Sequence, residues 1–562
     1  MAACSSTGTA HDSTTTSSGN ASVRQGGTVT VGIDQAATGC NPNTPQGDTW
    51  ANQLVLAPVL PSAFVVQSNG QPTVDQAVVE QAELVDTSPE TIQYTLNPKA
   101  VWSDGTPITA ADFIYAWQQQ RGVSTAIAGT TPPPTDAASI LGYRDIASVK
   151  GSNDQRSVTV VFKTPYADWQ GLFHDLLPAH VLSDVGWDPS CSTVDPAIDL
   201  SAGPYEIGSV QPGEVVLVRN PKWWETPGYL DQIVVRTATD SAQLAHWLAD
   251  GQAQVVEPTS FPQSFLEAVG ALGPVKSQLE FGTTLLDLQF ATDSPLLSDP
   301  RVRQALAYAI DRTRLVDATV SWADNTTVPA VTHFYTQGES GYPNLPSGVT
   351  EPFPVKAERK QTIKLLHAAG WHQGELGVWT DSDGETLSLR MAVDDGDLWA
   401  RQNADLIVKQ LHAVGVPVTV VSAPSAAEAG LLLAQGSVEL ALLPIQTTAY
   451  PTAAIAWNTL SLGTPGDNGS EDWSMLDNSH VTNGLLQAGQ QLNPNSAQPL
   501  YQQADQTLWT TMSNLPLFTE PTALAWSSKM SGIGPNPYDA GLLSNSESWA
   551  YLAKPSGSSG SG

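Results

Sequence analysis

Short runs of alternating apolar residues and longer amphipathic stripes interleave along almost the whole chain. Val29, Val31 and Ile33 alternate with small polar residues, and Ile92-Tyr94-Leu96, Val158-Val160-Phe162 and Val215-Leu217 repeat the same period of two. That period places one face of a strand in a core. Between these runs the period changes to that of a helix. Thr109 and Asp112 form a capping box ahead of Phe113, Ile114 and Trp117. Asp299-Pro300 opens a second helix, whose Val302, Ala305, Leu306, Ala309 and Ile310 fall on one face. Leu244, Trp247 and Leu248 mark a third, stopped at Gly251. Strands and helices mixed in this way predict an α/β architecture.

The chain has 562 residues, too many for one ordinary domain, so several lobes are expected. Its 24 Lys+Arg against 55 Asp+Glu leave a formal charge of −31, which repels nucleic-acid phosphates and anionic lipid heads. A nucleic-acid partner is therefore not expected. No apolar run reaches the roughly 18 residues that a membrane-spanning helix needs. Pro132-Pro133-Pro134 reads as a surface loop. Nine histidines without HxxxH spacing, and the absence of any CxxC, argue against a metal site. No G-x-S-x-G, H-E-x-x-H or P-loop occurs in a suitable context, so neither an enzyme nor a cofactor is expected. The acid pairs Asp394-Asp395 and Glu471-Asp472 read as solvated loop charges.

Five segments resemble, in order and spacing, the peptide/nickel class (family 5) of ABC-transporter solute-binding proteins. They are Trp102-Ser103-Asp104-Gly105-Thr106-Pro107 running into Ile108–Phe113; Leu177-Pro178-Ala179-His180; Gly203-Pro204-Tyr205 followed by Arg219-Asn220-Pro221-Lys222-Trp223-Trp224; Leu248–Val256 around Gly251; and Leu297–Arg312. The resemblance implies a two-lobed periplasmic-binding-protein-like fold of type II with an inserted subdomain. Lobe I is expected from residues 28–60, 190–290 and 505–553, the inserted subdomain from 61–189, and lobe II from 291–504. Residues 1–27 are expected to be a tether, and 554–562 an appended linker. Arg301, Arg303 and Asp311 read as helix-surface or lobe-interface charges.

The resemblance also implies a function: an extracytoplasmic receptor, monomeric and non-enzymatic, that closes over a small molecule or peptide and delivers it to ABC permease subunits. Ala2-Ala3-Cys4 resembles the end of a bacterial lipobox, which makes Cys4 the expected site of a lipid anchor on the outer face of the membrane. Met1 reads as a start standing in place of a removed signal. In that oxidising setting Cys40 and Cys191 are expected to pair as a disulfide.

Peptide-binding relatives carry an acid in a segment that corresponds to Leu443–Pro451 here. Thr448 or Ala449 takes the acid's place, and Leu442 replaces an arginine found just upstream. Gln446, Thr447, Thr448 and Tyr450 offer neutral donors and acceptors instead. A neutral polar or oligosaccharide-like ligand is expected to suit them better than an ordinary oligopeptide, with an acid from another loop left open. Trp399 and Trp457 are the stacking candidates, whereas Trp117, Trp223 and Trp247 are expected to be structural. Asn41, in the loop after the first strand, is expected to face the ligand. Val59–Phe64 and Tyr166-Ala167-Asp168-Trp169 also resemble segments of a mycobacterial lipoprotein tied to envelope mannolipid synthesis. The alternative reading is therefore an envelope lipoprotein of this fold acting in glycolipid assembly or signalling, which can lose the ligand pocket.

Overall fold

The computed structural model describes residues 22–38, 41–122, 137–185, 187, 200–323, 326–339, 341–342, 352–374, 377–462, 465, 470–538 and 540–553. Its frame is one mixed sheet of ten strands. In chain order these are β1 (Thr28–Ile33), β2 (Tyr205–Gln211), β3 (Glu214–Arg219), β4 (Gln232–Thr237), β5 (Val255–Glu257), β6 (Val275–Phe290), β7 (Leu389–Asp394), β8 (Val418–Ala423), β9 (Leu440–Gln446) and β10 (Asn514–Ser527). The spatial order is β8-β7-β9-β6-β10-β5-β1-β4-β3-β2. β1 pairs in parallel with β4 and β5, and β7 does so with β8 and β9. The period-two reading of β1 holds: Val29, Val31 and Ile33 are fully buried.

Two long antiparallel strands, β6 and β10, join the halves of this sheet. Val275–Phe281 pairs with Pro521–Ser527, while Thr284–Phe290 pairs with β9 in the other half. The register breaks between Phe281 and Leu285. Gly282 sits in the break, where a Cβ would lie 2.7 Å from the Glu520 carbonyl oxygen. Only glycine lets the backbones approach so closely. One large core lies across both halves: Leu244, Trp247, Phe261 and Phe265 share it with Val302, Leu306, Trp399 and Leu411.

A four-stranded antiparallel sheet (Val79–Thr87, Glu90–Leu96, Ser157–Phe162, Ile146–Gly151) forms a separate body around its own core of Ile92, Tyr94, Trp102, Phe113 and Phe173. The chain enters and leaves this body side by side: the Ala63 amide donates to Phe173 O at 2.9 Å and the Leu176 amide to Pro61 O at 2.8 Å. Helix Ala110–Gln120 begins as expected, with Thr109 accepting from the Ala111 amide and Asp112 from the Thr109 amide. Asp112 also accepts from the Ala179 amide, which ties helix Ala179–Val185 to it. Gly251 ends its helix in the left-handed region, φ 72°.

Some expectations change in the fold. Arg303 is buried rather than on the helix surface: it donates to the carbonyls of Leu297 in the preceding turn, and of Thr511 and Met512, which the end of helix Pro494–Thr511 leaves without partners. Asp472 is buried too, accepting from the Ser474 hydroxyl, so it is not a solvated loop charge. Helix Pro494–Thr511 is continuous across 504/505, and its Ala504 and Leu508 pack in one core with Leu443, Ile455 and Leu485. Cys4, Cys40 and Cys191 lie outside the described residues.

Candidate ligand-binding cleft

β9 delivers the segment that sequence reasoning singled out. Its residues up to Ile445 are buried, Pro444 only partly, and the chain then turns at Thr447. Thr447 is fully buried. Its amide and hydroxyl both donate to Thr283 O, at 2.7 and 2.9 Å, beside the irregular point of β6. The hydroxyl also lies 3.1 Å from Glu339 Oε1, and burial pushes that carboxyl up to about 7. Gln446 is held by the side chains of Thr283 and Thr284. These two residues therefore fasten the segment to the connecting strands. Next, Thr448 Oγ1 accepts from the Tyr450 amide at 3.1 Å, and Pro451 opens a short 3₁₀ turn. That turn brings Thr448, Tyr450, Thr452 and Ala453 to one wall of a cavity of about 350 Å³.

The other walls come from distant parts of the sequence. Pro58, Leu60, Pro61 and Ser62 supply one, and Asp75, Tyr143, Tyr166, Gln170 and Asp175 another. Gly203-Pro204, Trp223 and the Ala540–Glu547 region complete the lining. Gly203 is fixed by packing, since a Cβ there would meet the Pro58 carbonyl oxygen at 2.1 Å. Direct hydrogen bonds cross between the walls. The Tyr166 and Thr452 hydroxyls lie 2.9 Å apart, and the Thr452 amide donates to Asp168 Oδ2 at 2.9 Å. The Tyr450 hydroxyl donates to Gln170 O at 3.2 Å, the Ala167 amide to Gly489 O at 2.7 Å, and Arg144 Nη1 to Ser461 O at 2.8 Å.

The lining is acidic. It contains Asp75, Asp175 and Glu547 but no lysine or arginine. Burial, together with repulsion from Glu547 and Glu225, pushes Asp75 up to about 6, against the opposing pull of the Ala77 amide. Burial also raises Glu547. No metal-type cluster of three or more His, Cys, Asp or Glu occurs among the described residues.

Of the expected site residues, Thr448 and Tyr450 line the cavity. Asn41 does not: it is buried, donates from Nδ2 to Trp187 O at 2.8 Å, and accepts from the Thr44 hydroxyl and the Asn43 amide. Its polar groups shape its own loop. Trp399 sits in the core shared by the two halves, with Phe261 at 5.4 Å and Trp322 stacked at 6.2 Å. Trp457 is buried in the core around Leu443, Ile455 and Leu485, its Nε1 donating to His333 O at 3.4 Å. An indole that packs this well on its neighbours has no face left for a ligand. Trp223, expected to be structural, is instead half-buried in the lining. Asp75, Gln120, Tyr143 and Glu547 were not foreseen, because nothing local in the sequence separates them from other polar loop and helix residues. Tyr166 and Asp168 did stand out, in the segment noted for its likeness to an envelope lipoprotein.

The model for bacterial extracellular solute-binding proteins, family 5, matches residues 74–467. The oligopeptide-binding protein OppA of Mycobacterium tuberculosis is 26% identical over 519 residues, which is 92% of this chain and 83% of that one. LpqW of the same organism, a probable monoacyl phosphatidylinositol tetramannoside-binding protein, is 26% identical over 427 residues, covering 70% of this chain and 64% of its own length. Among solved structures, the periplasmic EDTA-binding protein EppA superimposes with a TM-score of 0.84 at 24% identity, covering 95% of this chain and 98% of that one. The shared fold is the two-lobed one that the motifs imply. A match over most of the chain, together with an α/β body whose cavity lies between its walls, shows that the chain belongs to the bacterial extracellular solute-binding proteins of family 5.

Proposed function

We propose that the protein is the extracytoplasmic receptor of an ABC-type importer and encloses a small ligand in the cavity around Tyr450. The carrying observation is the cavity itself. Its volume of about 350 Å³ lies near the low end of the roughly 300–1,000 Å³ typical of small-molecule sites. Its walls come from segments that the hydrogen bonds of Tyr166, Asp168 and Tyr450 draw together. Such contacts add to the free energy of closure once a ligand bridges the same walls.

An envelope-assembly role, which the likeness to LpqW brings to mind, can dispense with an enclosed site. The retained cavity favours capture and delivery. The ligand class in best accord with the relatives is a short peptide or another small polar molecule. The lobe division drawn from the family pattern, the lipid on Cys4, a monomeric state, the permease partner and the absence of catalysis belong to the same reading. Mass spectrometry of small molecules released by denaturing the purified protein tests it, alongside small-angle scattering during titration with what is found. The reading expects a stoichiometric small ligand and a smaller radius of gyration on binding. A radius unchanged at saturation would count against it.

A further inference from the structure

A second concavity, of about 430 Å³, lies away from the cleft and shares no lining residue with it. An indole forms part of its wall. Trp322 is half-buried, stacked on Trp399 at 6.2 Å and meeting Phe261 edge-on at 6.1 Å. Both partners belong to the large core that joins the two halves of the sheet, so the ring is held in one orientation.

Polar side chains stand around this indole. Gln402, Asp405 and Lys409 fall at i, i+3 and i+7 of helix Leu398–Ala413, which brings all three to one helix face and into the same lining. Gln263, at the start of helix Gln263–Gly270, lines it as well. Asp405 and Lys409 are four residues apart yet form no ion pair with each other. Among the described residues, neither they nor Gln402 spend their side chains on a hydrogen bond to another residue. One acid, one base and two amides leave the lining without net charge, so it favours neither an anion nor a cation. It offers several donors and acceptors beside a flat apolar ring.

A sugar ring matches that offer. Its C–H face packs on the indole, whose π-face is negative, while its hydroxyls reach the amide, carboxylate and ammonium groups. The volume lies within the roughly 300–1,000 Å³ of small-molecule sites. A lone indole among polar side chains lacks the apolar centre of a protein interface.

We infer that this concavity is a binding site, separate from the cleft, for a neutral hexose unit stacked on Trp322 and hydrogen-bonded by Gln402, Asp405 and Lys409.

Saturation-transfer NMR and calorimetry on the full chain test this. The neutral probes are maltotriose, mannotriose and tri-N-acetylchitotriose; trimers of galacturonic acid and glucosamine are the charged controls. At least one neutral trimer is expected to bind with a dissociation constant of about 1 mM or tighter, and more tightly than either charged control. Trp322→Ala is expected to weaken it at least about tenfold, and the double variant Gln402→Ala/Asp405→Ala several-fold. Both residues of the double variant are exposed, so it keeps the test valid if Trp322→Ala melts early. Tyr450→Phe is expected to leave sugar binding unchanged, which assigns it to this site and not to the cleft. Retention on starch or chitin beads identifies a glycan polymer as the source of the hexose, and binding of free trimers alone identifies a soluble saccharide. Absence of binding at about 10 mM of every neutral trimer, wild-type affinity in both variants of this site, or loss of binding in Tyr450→Phe would overturn the inference. None of these results touches the receptor reading, which rests on the cleft.

Discussion

Asp168→Ala isolates the closure of the cleft from the stability of its walls. The Asp168 side chain takes no part in capping its own 3₁₀ turn. Its carboxylate accepts from the Thr452 amide across the cleft at 2.9 Å. A hydrogen bond to a carboxylate contributes about 1.5–3 kcal/mol. Because that bond spans the cleft, its loss falls on the equilibrium between closed and open forms. At 1.4 kcal/mol per decade the ratio shifts roughly 10- to 150-fold toward open. The apparent dissociation constant rises by no more than that factor, since only the closed-competent fraction binds. Scattering profiles at pH 8, with and without the ligand identified on release, read the open fraction directly, and calorimetry reads the affinity. Tyr166→Phe removes the neighbouring hydroxyl contact to Thr452, worth about 0.5–1.5 kcal/mol, and is expected to act in the same direction with smaller effect. Wild-type scattering and affinity in Asp168→Ala, or a fall in melting temperature with no change in compactness, would refute the argument.

Other outcomes follow from the same contacts. Burial raises Asp75 to about 6, Glu339 and Asp287 to about 7, and Glu257 to about 8. A carboxyl raised in the folded state binds more protons there than when unfolded, so it favours folding at low pH and loses that contribution as pH rises through the folded value. The melting temperature is therefore expected to climb as pH falls from about 8.5 to about 5.5, as differential scanning calorimetry would show; a flat or opposite trend counts against these assignments. Thr447→Val removes the hydroxyl that meets both Thr283 O and Glu339 Oε1 in a buried site and is expected to cost about 1–3 kcal/mol of stability in urea unfolding. Trp399→Ala is expected to cost about 3–5 kcal/mol of stability, as a core truncation does, whereas Tyr450→Phe leaves stability near wild type and weakens ligand binding through loss of its bond to Gln170 O.

The fold was legible wherever the chain's own neighbours decide the outcome. Thr109 and Asp112 cap a helix within four residues of each other, and Val29, Val31 and Ile33 need only one buried face. The cleft was legible in part. The Thr448–Tyr450 segment stood out, and the structure brings both residues to the cavity. The tryptophans misled because an indole suits a core and a binding site equally. Trp399 and Trp457 pack in cores, and Trp223 reaches the lining. Asn41 misled for a similar reason: its amide suits a ligand as well as protein partners, and its oxygen goes to its own turn while its nitrogen goes to Trp187 O. Asp75 and Glu547 are separated by most of the chain, so their meeting is a product of tertiary folding alone. Arg303 reads as a surface charge on its helix until the carbonyls at the end of helix Pro494–Thr511 are placed against it.

The seam at Pro61–Ala63 and Phe173–Leu176 has a consequence for how such proteins change over generations. The two polypeptide segments there are already bonded to each other, so more than a hundred residues hang from the frame like a bead on a closed loop. Replacing them by a tight turn would sever no strand pairing of the ten-stranded sheet, because none of its strands falls between the two sides of the seam. The bead nevertheless supplies Asp75, Tyr143, Tyr166 and Gln170 to the cavity. The topology therefore allows this bead to be exchanged or enlarged as one contiguous stretch of sequence. Each such event would rewrite the cavity wall and would have to replace the packing that Tyr115, Ala137 and Ile140 give to the neighbouring cores.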